Sequence, residues 1–531
     1  MYDTLIRGGT LYDGLGGPAF TADIAIADGR IAEIGNIKSS AREVIDAQGA
    51  IVTPGFLDIH THYDGQCLWD DKIDPSFSHG VTTVVAGNCG VGFAPVKPED
   101  RKHLMNFMSG VEDIPGIVLD EGLDWRWRSF PEYLDRLAAR RYTMDVAAHV
   151  THAPLRLFTM GERALRHETA TPDDIAAMCA LLREAMAAGA AGFSTGRILE
   201  HRSSDGEHVP GTFAPQDELV ALGRAMGEAG HGVFQVAPKG QNGSLFLGNE
   251  DAGRDARLAE HRLLETIARE SGRPLTYGLI EVATDLDDAN IMLAESDRAI
   301  AQGVPVYPQI SARGGGMLYM LEGYHVFLLR PSYREIAHLP LSKRVEAMRD
   351  PARRQAILSE ANDESPYLGD TMTLLLLRYM VAHSAGSFIL SSPLDFEPGP
   401  ERSLAALAAA SGKTGEQYLY DHYASGTGHN FNINFTVNYA HGSLETTRGF
   451  LANRNVVSGL ADGGAHIKII CDASMPTFQL AYWARRRTRG ACLPLEFMVN
   501  KLTAAPAQLY SMRDRGSLEI GKRADINVDR L

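Results

Sequence analysis

Two histidines separated by a single residue, His60 and His62, are the residues of this chain best suited to chemistry. They follow residues 52–59, Val-Thr-Pro-Gly-Phe-Leu-Asp-Ile, which are apolar enough to form a buried strand. Side chains alternate between the two faces of a strand, so the two imidazoles are expected to point the same way. Imidazole pairs bind Zn, Fe, Mn, Ni or Co, and the spacing therefore predicts a metal site without naming the metal. A His-x-His pair without further context is more often a pair of surface residues. The surrounding sequence therefore has to show whether these two histidines bind a metal.

A repeated order of helix, glycine and strand surrounds this motif. Thr171 is placed to cap a helix from Pro172 to Ala188, and Gly189 to end it before the next strand. The same order recurs three more times. Together with the other apolar runs, it predicts eight buried strands, at residues 56–62, 81–86, 144–150, 191–195, 232–236, 275–280, 304–310 and 456–461. Eight parallel strands covered by helices form an α/β fold, the (β/α)8 TIM barrel, whose chemistry lies at the C-terminal ends of its strands.

Two regions do not fit the repeat. Residues 311–455 separate the last two predicted strands by far more than a crossover needs, which predicts an inserted subdomain or lid. At the N-terminus, short strands at 4–7, 23–26 and 30–34, with a turn at Asp28 and Gly29, predict a β-hairpin module before the barrel.

Composition limits the classes of function. The net charge of −15 would repel polyanions, which argues against binding to nucleic acid or to an anionic membrane. No stretch is long and apolar enough for a membrane span, and no secretory leader is recognisable. The five cysteines form neither a disulfide framework nor a paired zinc motif. We therefore expect a cytoplasmic enzyme with a small-molecule substrate.

Several motifs, taken in order, carry a family resemblance. Gly-Gly-Thr at 8–10, Asp-Gly-Arg-Ile at 28–31, residues 52–62 and Gly-Lys-Arg-Ala-Asp at 521–525 resemble the amidohydrolase superfamily. Within it, Gly-Asn-Cys-Gly at 87–90, Ala-Gly-Phe-Ser-Thr-Gly at 191–196 and Ala-Asp-Gly-Gly at 461–464 look like the N-acyl-D-amino-acid deacylase (D-aminoacylase) branch.

The resemblance implies a particular domain organisation. Residues 1–52 and 506–531 would form a small β-sandwich, and residues 53–505 the barrel with its insertion. Members of the family continue through more sandwich strands, so we expect a sandwich that is cut short at Leu531.

The resemblance also implies site residues and an activity. It makes His60, His62, Cys89 and Asp462 ligands of one or two divalent transition-metal ions, of which zinc is the first candidate. It also makes Asp462 the catalytic carboxylate. The reaction would be hydrolysis of the C–N amide bond of an N-acyl-D-amino acid or related acyl amide by metal-activated water. The protein would be a homo-oligomer. Cys89 as a buried structural thiol and Asp462 as a turn residue remain alternatives.

The chain departs from the family pattern at two positions. The branch supplies two further histidine ligands from strands five and six, where this sequence has Ala237 and Leu279. Lys239 and Glu281 follow two residues later and could replace them. His152, His201 and His466 are other candidates to fill the gap, and a partial, weak or lost metal site is the remaining possibility.

Substrate contacts are predicted less specifically. Lys239, Glu281, Arg313 and His466 are candidates, and Arg313, Lys239 or Arg197 could bind a substrate carboxylate. A serine hydrolase is disfavoured, because Ser194 lies in no strand-to-helix nucleophile turn. Two alternatives stay open: the same fold acting on a cyclic amide, an ester or a non-hydrolytic substrate, and a metal-free protein that only binds a ligand.

Overall fold

A computed structural model describes residues 1–240, 253–284, 286–390, 392–467 and 469–530. Its strands are β1 Tyr2–Leu11, β2 Phe20–Ala27, β3 Arg30–Gly35, β4 Ala41–Asp46, β5 Ile51–Pro54, β6 Phe56–Asp58, β7 Val81–Ala86, β8 Asp145–Thr151, β9 Gly192–Gly196, β10 Val233–Ala237, β11 Leu275–Gly278, β12 Val306–Ile310, β13 Gly315–Tyr319, β14 Phe388–Ile389, β15 Asn432–Val437, β16 Val457–Ser458 and β17 Ile526–Asp529.

The α-helices are α1 Arg101–Glu112, α2 Gly116–Gly122, α3 Phe130–Ala138, α4 His152–Met160, α5 Glu162–Leu165, α6 Pro172–Ala187, α7 Gln216–Gly227, α8 Arg254–Ser271, α9 Asp288–Ala301, α10 Pro331–Ala337, α11 Leu341–Met348, α12 Pro351–Ser359, α13 Thr371–His383, α14 Leu404–Ala410, α15 Gly415–Tyr423, α16 Glu445–Ala452, α17 Met475–Phe478, α18 Leu495–Leu502 and α19 Ala504–Leu509. A π-helix covers Gln479–Arg486. Short 3-10 helices cover Gln66–Leu68, Phe77–His79, Pro98–Asp100, Val326–Leu329, Ser365–Tyr367, Ser384–Gly386 and Pro400–Arg402.

An eight-stranded parallel sheet forms the barrel and confirms the predicted fold class. Its strands follow one another as β6, β7, β8, β9, β10, β11, β12 and β16. A parallel bridge between Thr61 and Gly463 closes the ring beyond the ends of β6 and β16. These two strands are shorter than predicted, because the chain beyond them is joined only by single hydrogen bonds, such as His62 N to Gly463 O at 2.8 Å.

The helices that cover the barrel begin and end where the sequence signals predict. In α6, the Thr171 hydroxyl accepts a hydrogen bond from Asp174 N, and the Asp174 side chain accepts one from Thr171 N. This reciprocal capping satisfies two of the free amides at the start of the helix. Gly189, with φ of +108°, provides the left-handed backbone that follows its end.

The two ends of the chain meet in a separate six-stranded sheet. Its order is β17, β5, β1, β2 and β3, with β4 also paired to β1. The C-terminal strand β17 lies antiparallel to β5, directly before the histidine segment. A small apolar core that includes Ile24, Val52 and Leu518 stabilises this sheet.

The insertion between β12 and β16 has an apolar core of its own, built around Tyr319, Phe327, Tyr333 and Tyr423. It contains α10 to α16 and a three-stranded antiparallel sheet in the order β13, β15, β14. An isolated bridge from Val282 to Val437 joins β15 to the chain beyond β11. The insertion thereby forms part of the wall above the C-terminal ends of the barrel strands.

None of the helices in the described part of the chain combines the length and the apolar character that crossing a bilayer requires.

Candidate metal centre

Three potential ligands meet at the C-terminal end of the barrel. One donor atom from each of His60, His62 and Cys89 lies within 4.8 Å of the other two, and Cys89 Sγ is 3.4 Å from His60 Nε2. Asp462 stands beside them, with Oδ1 at 3.5 Å from His60 Nε2 and 3.7 Å from His62 Nε2. The four residues predicted as metal ligands are therefore neighbours, although they come from three separate loops.

The barrel positions each of these residues directly after a strand. The histidines follow β6, Cys89 follows β7 and Asp462 follows β16. Two of the donors have a left-handed backbone, with φ of +56° at Cys89 and +47° at Asp462. Non-glycine residues adopt this conformation at a cost of roughly 1–3 kcal/mol, and such strain clusters at functional sites. A Cβ on Gly196 would lie 2.4 Å from Cys89 O, so only glycine there lets the cysteine loop pack so closely.

A hydrogen bond to Gln309 orients the imidazole of His60 toward the centre, and an ion pair with Glu112 orients that of His62. His60 Nδ1 lies 3.1 Å from the amide oxygen of Gln309, which can only accept, so Nδ1 carries the proton and Nε2 offers its lone pair. His62 Nδ1 lies 3.3 Å from Glu112 Oε1, so this nitrogen faces the carboxylate and Nε2 faces the centre. Metal-binding histidines are usually held in this way, through the nitrogen that does not bind the metal.

Glu112 is a functional candidate that sequence reasoning missed. It ends α1, and only 2% of its surface is exposed. Its second oxygen, Oε2, lies 3.5 Å from His466 Nε2, and its backbone oxygen accepts a hydrogen bond from His466 N. One feature of the sequence could have identified Glu112 as a candidate, namely an acidic residue among the apolar residues at the end of a helix. Its partners lie 50 and 354 positions away in the sequence, and no local pattern links them.

Burial and neighbouring charges set the protonation of the four donors in the absence of an ion. Burial lowers the pKa of His60 to about 4 and raises that of Cys89 to about 12. Burial also acts to lower the pKa of His62, but the Glu112 carboxylate, Asp462 and Cys89 together outweigh it and hold this pKa well above the ordinary value. Burial would raise the pKa of Asp462, yet its hydrogen bond with His62 and the charge of nearby histidines hold it below the ordinary range.

The donor set fits a divalent transition metal. Two imidazoles, a thiol and a carboxylate are the side chains that zinc binds in proteins, and Nε2 of each imidazole faces the centre. His60 and Asp462 are already in their binding forms at neutral pH, whereas His62 and Cys89 must each release a proton.

A cavity of about 430 Å³ opens above the centre. His60, His62, Cys89 and Asp462 lie in its wall, and residues of the insertion, such as Met317, complete it. This volume lies within the range of pockets that hold small organic molecules.

Comparison with known proteins identifies the family. The sequence profile of the Amidohydrolase family matches residues 43–529. The chain belongs to the amidohydrolase family. A D-aminoacylase of Alcaligenes xylosoxydans xylosoxydans is 30% identical over 334 residues, which is 59% of this chain. The chain spans 64% of that relative's length.

Two solved structures have the same fold. A crystal structure of D-aminoacylase, described as defining a novel subset of amidohydrolases, has a TM-score of 0.63 and 25% identity. N-acyl-D-glutamate deacylase from Bordetella bronchiseptica, solved with zinc and a phosphonate inhibitor, has a TM-score of 0.63 and 24% identity. Each alignment covers 100% of this chain and 90% of the other.

The two positions at which the family resemblance implies histidine have different surroundings. Ala237 lines the cavity and Leu279 is buried. His201 and His466 also line the cavity, and burial lowers the pKa of His201 to about 3. His152 does not line it, because its ring is hydrogen-bonded between Thr195 and Glu218.

Three of the residues predicted to contact the substrate lie outside the described lining of the cavity. Lys239, Glu281 and Arg313 are not among the described residues that line the cavity. The Glu281 carboxylate accepts a hydrogen bond from Ala440 N at 3.2 Å, and Arg313 forms an ion pair with Asp472 at 3.0 Å. Strand alternation fixes the direction of a side chain within a strand, but these residues lie beyond the strand ends, where it no longer applies.

Proposed function

We propose that the protein is a metal-dependent amidohydrolase that cleaves the C–N amide bond of an N-acyl amino acid or a related acyl amide. One observation carries this proposal: the donor atoms of His60, His62 and Cys89 converge beside the Asp462 carboxylate at the base of a cavity. The 30% identical D-aminoacylase supports the same reaction type.

We propose zinc as the metal, held by His60, His62, Cys89 and Asp462. Nitrogen and sulfur donors together favour zinc over magnesium or calcium, which prefer oxygen. When bound, such an ion lowers the pKa of water and polarises a carbonyl oxygen.

Asp462 supplies the proton transfers. Its lowered pKa keeps it ionised at neutral pH, so its carboxylate can accept the proton of the attacking water. The same carboxylate then delivers that proton to the departing nitrogen, which must be protonated before it can leave as an amine. Glu112 keeps the proton of His62 on Nδ1 throughout the reaction, and Gln309 does the same for His60.

A substrate panel tests this function. The zinc-loaded protein is incubated with N-acyl-D-amino acids, N-acyl-L-amino acids, N-acyl amines, lactams and lactones, and release of the free amine or acid is measured. We expect turnover of linear acyl amides that is lost when a chelator removes the metal and restored when zinc is returned. Turnover of lactams or lactones alone, or full turnover by protein verified as free of metal, would contradict the proposal.

We further propose a cytoplasmic homo-oligomer that does not bind nucleic acid. The net charge of −15 opposes polyanion binding, and all five cysteines are unpaired, as is usual in a reducing compartment. Sedimentation velocity of the purified protein tests the oligomeric state, and a mass equal to that of the single chain would contradict it.

A further inference from the structure

A second cavity opens between residues 393–402 of the insertion and residues 474–489, which follow the last barrel strand. Its volume is about 730 Å³, and it shares no described lining residue with the cavity above the metal centre. Arg313 lines it and forms an ion pair of 3.0 Å with Asp472, which lines the first cavity. The two cavities are therefore neighbours with separate walls. We call the second one the aromatic pocket.

Three aromatic rings provide most of the apolar surface of the aromatic pocket. Phe478 and Tyr482 are stacked, with ring centres 4.7 Å apart and ring planes inclined by 15°. Phe396 meets Phe478 edge to face, with ring centres 4.8 Å apart. Phe396 and Tyr482 are only half-buried, so ring surface remains available to a ligand. Aromatic rings pack favourably in stacked and edge-to-face contacts, and this wall therefore suits a planar aromatic ligand.

The charges at the aromatic pocket are unequal. Its described lining contains four arginines and two acidic residues, namely Arg313, Arg402, Arg486, Arg489, Asp395 and Glu397. Three ion pairs include both acidic residues and two of these arginines: Arg313 with Asp472 at 3.0 Å, Arg402 with Asp395 at 2.7 Å and Arg487 with Glu397 at 3.1 Å. Within the described part of the chain, no carboxylate forms an ion pair with Arg486 or Arg489.

These two arginines have nitrogen donors to offer to a ligand. Nη1 of Arg489 donates to three neutral oxygens, Glu397 O at 2.8 Å and Tyr439 Oη and Gly442 O at 3.1 Å. The contacts position the guanidinium without neutralising it, and among the described residues its Nε and Nη2 have no hydrogen-bond partner. Arg486 is exposed and forms no hydrogen bond with a described residue. Parallel N–H donors of this kind bind a carboxylate in bidentate fashion.

The backbone at Tyr482 is a further indication of a binding site. Residues Gln479–Arg486 form a π-helix that contributes Ala481, Tyr482 and Arg486 to the aromatic pocket. Helices of this type are rare and occur frequently at functional sites. None of the residues of this helix lines the cavity above the metal centre, so the metal-dependent reaction does not account for it.

We propose that the aromatic pocket binds a small aromatic carboxylate at a site separate from the metal centre. The ring packs against Phe396, Phe478 and Tyr482, and the carboxylate binds Arg486 and Arg489. Uncharged aromatic molecules fit the same rings but leave the two cations without a counter-charge, so the arginines select the acid. This proposal goes beyond the amidohydrolase reaction and does not depend on it.

Two probes that differ in charge test the proposed recognition. Calorimetry measures the binding of 2-naphthoate and of 2-naphthalenemethanol to the zinc-loaded protein, and neither probe contains an amide bond that the protein could hydrolyse. We expect the Kd of 2-naphthoate to be about tenfold lower than that of the alcohol. Equal affinities, or no binding of 2-naphthoate at millimolar concentration, would overturn the proposal.

Arginine variants show which cations bind the probe. We expect Arg486→Gln and Arg489→Gln each to raise the Kd of 2-naphthoate about threefold, and the double variant to raise it about tenfold. Arg486 forms no contact that its replacement could disrupt, so its effect does not reflect unfolding. Arg485→Gln, at an exposed arginine outside the described lining of the pocket, is the control and should leave the Kd unchanged. A Kd that is the same in the double variant and the control would overturn the proposal.

A crystal structure of the zinc-loaded protein with 6-bromo-2-naphthoate locates the bound probe directly. Zinc also attracts carboxylates, and the anomalous signal of bromine separates the two positions. We expect a bromine peak in the aromatic pocket, beside Phe396 and Tyr482. A peak at the metal centre alone would overturn the proposal, and it would leave the proposed amidohydrolase function standing.

Discussion

Glu112 Oε1 lies 3.3 Å from Nδ1 of His62, with both side chains buried. The other oxygen of the same carboxylate faces His466 at 3.5 Å, so Glu112 links the predicted metal ligand to the cavity wall. This contact fixes which nitrogen of His62 faces the centre, and it raises the basicity of that nitrogen toward a metal ion.

Removing the charge of Glu112 is expected to weaken metal binding. In Glu112→Gln the side chain keeps its size and can still accept the Nδ1 proton, but it carries no negative charge. Partners of this kind typically contribute a factor of about 10 to 100 in metal affinity, and we expect a loss of that size. Competition of the apo protein with a zinc-binding dye measures it without reference to activity. Glu121→Gln, at an exposed glutamate, is the control, and an affinity equal to that of the control would contradict the role assigned to Glu112.

A thiolate ligand has a spectroscopic signature. Protein loaded with Co²⁺ is expected to show a sulfur-to-metal charge-transfer band in the near ultraviolet, because binding deprotonates the Cys89 thiol. Cys89→Ser should lose the band, whereas Cys492→Ser, at an exposed cysteine, should keep it. Identical spectra for the two variants would rule out Cys89 as a ligand.

Asp462→Asn separates metal binding from proton transfer. The amide cannot accept the proton of the attacking water, so we expect kcat to fall at least about 100-fold, the lower range for loss of a general base. Zinc content measured on the same preparation should remain close to that of the wild type, because the histidines and Cys89 are unchanged. Substantial turnover by this variant would exclude the proposed proton transfer.

The insertion should lose stability in acid. Burial, with a smaller contribution from Arg344, lowers the pKa of His325 from its ordinary 6.5 to about 3, and its Nδ1 accepts a hydrogen bond from Phe327 N. The unfolded state therefore binds a proton below pH 6.5 while the folded state does not. The contribution of neutral His325 to the free energy of unfolding is fully present above pH 6.5. It is lost toward pH 3, at about 1.4 kcal/mol per pH unit.

Hydrogen exchange at the start of the insertion measures this loss. After correction for intrinsic exchange rates, protection of residues 326–330 should fall between pH 7 and pH 5 in the wild type. It should fall less in His325→Gln, which cannot titrate. His338→Gln, at an exposed histidine, should behave as the wild type does. Equal pH dependence in all three proteins would contradict the buried neutral state of His325.

Local sequence signals predicted the elements of the barrel well, although β6 and β16 end earlier than predicted. The apolar runs and glycine stops gave all eight strands, and the Thr171 cap fixed the start of α6 because capping depends on residues close in sequence. The convergence of His60 and His62 also follows from a short spacing. Each of these features is determined by residues that lie only a few positions apart in the sequence.

Contacts between distant residues could not be predicted in this way. The hydrogen bond from His60 to Gln309 joins residues 249 positions apart, and the ion pair of Arg313 with Asp472 joins residues 159 apart. Lys239 and Glu281 were placed at the site by extending strand alternation past the ends of β10 and β11. Burial and pairing of charges decide such positions, and both depend on the whole fold.

The metal content of the protein purified without chelator, compared with that of His60→Ala, tests the central claim most directly. His338→Ala serves as the control for loss of an exposed histidine. The account predicts about one or two equivalents of a transition metal, mainly zinc, in the wild type and the control, with most of it lost in His60→Ala. Absence of metal from all three proteins, even after incubation with zinc, would contradict it.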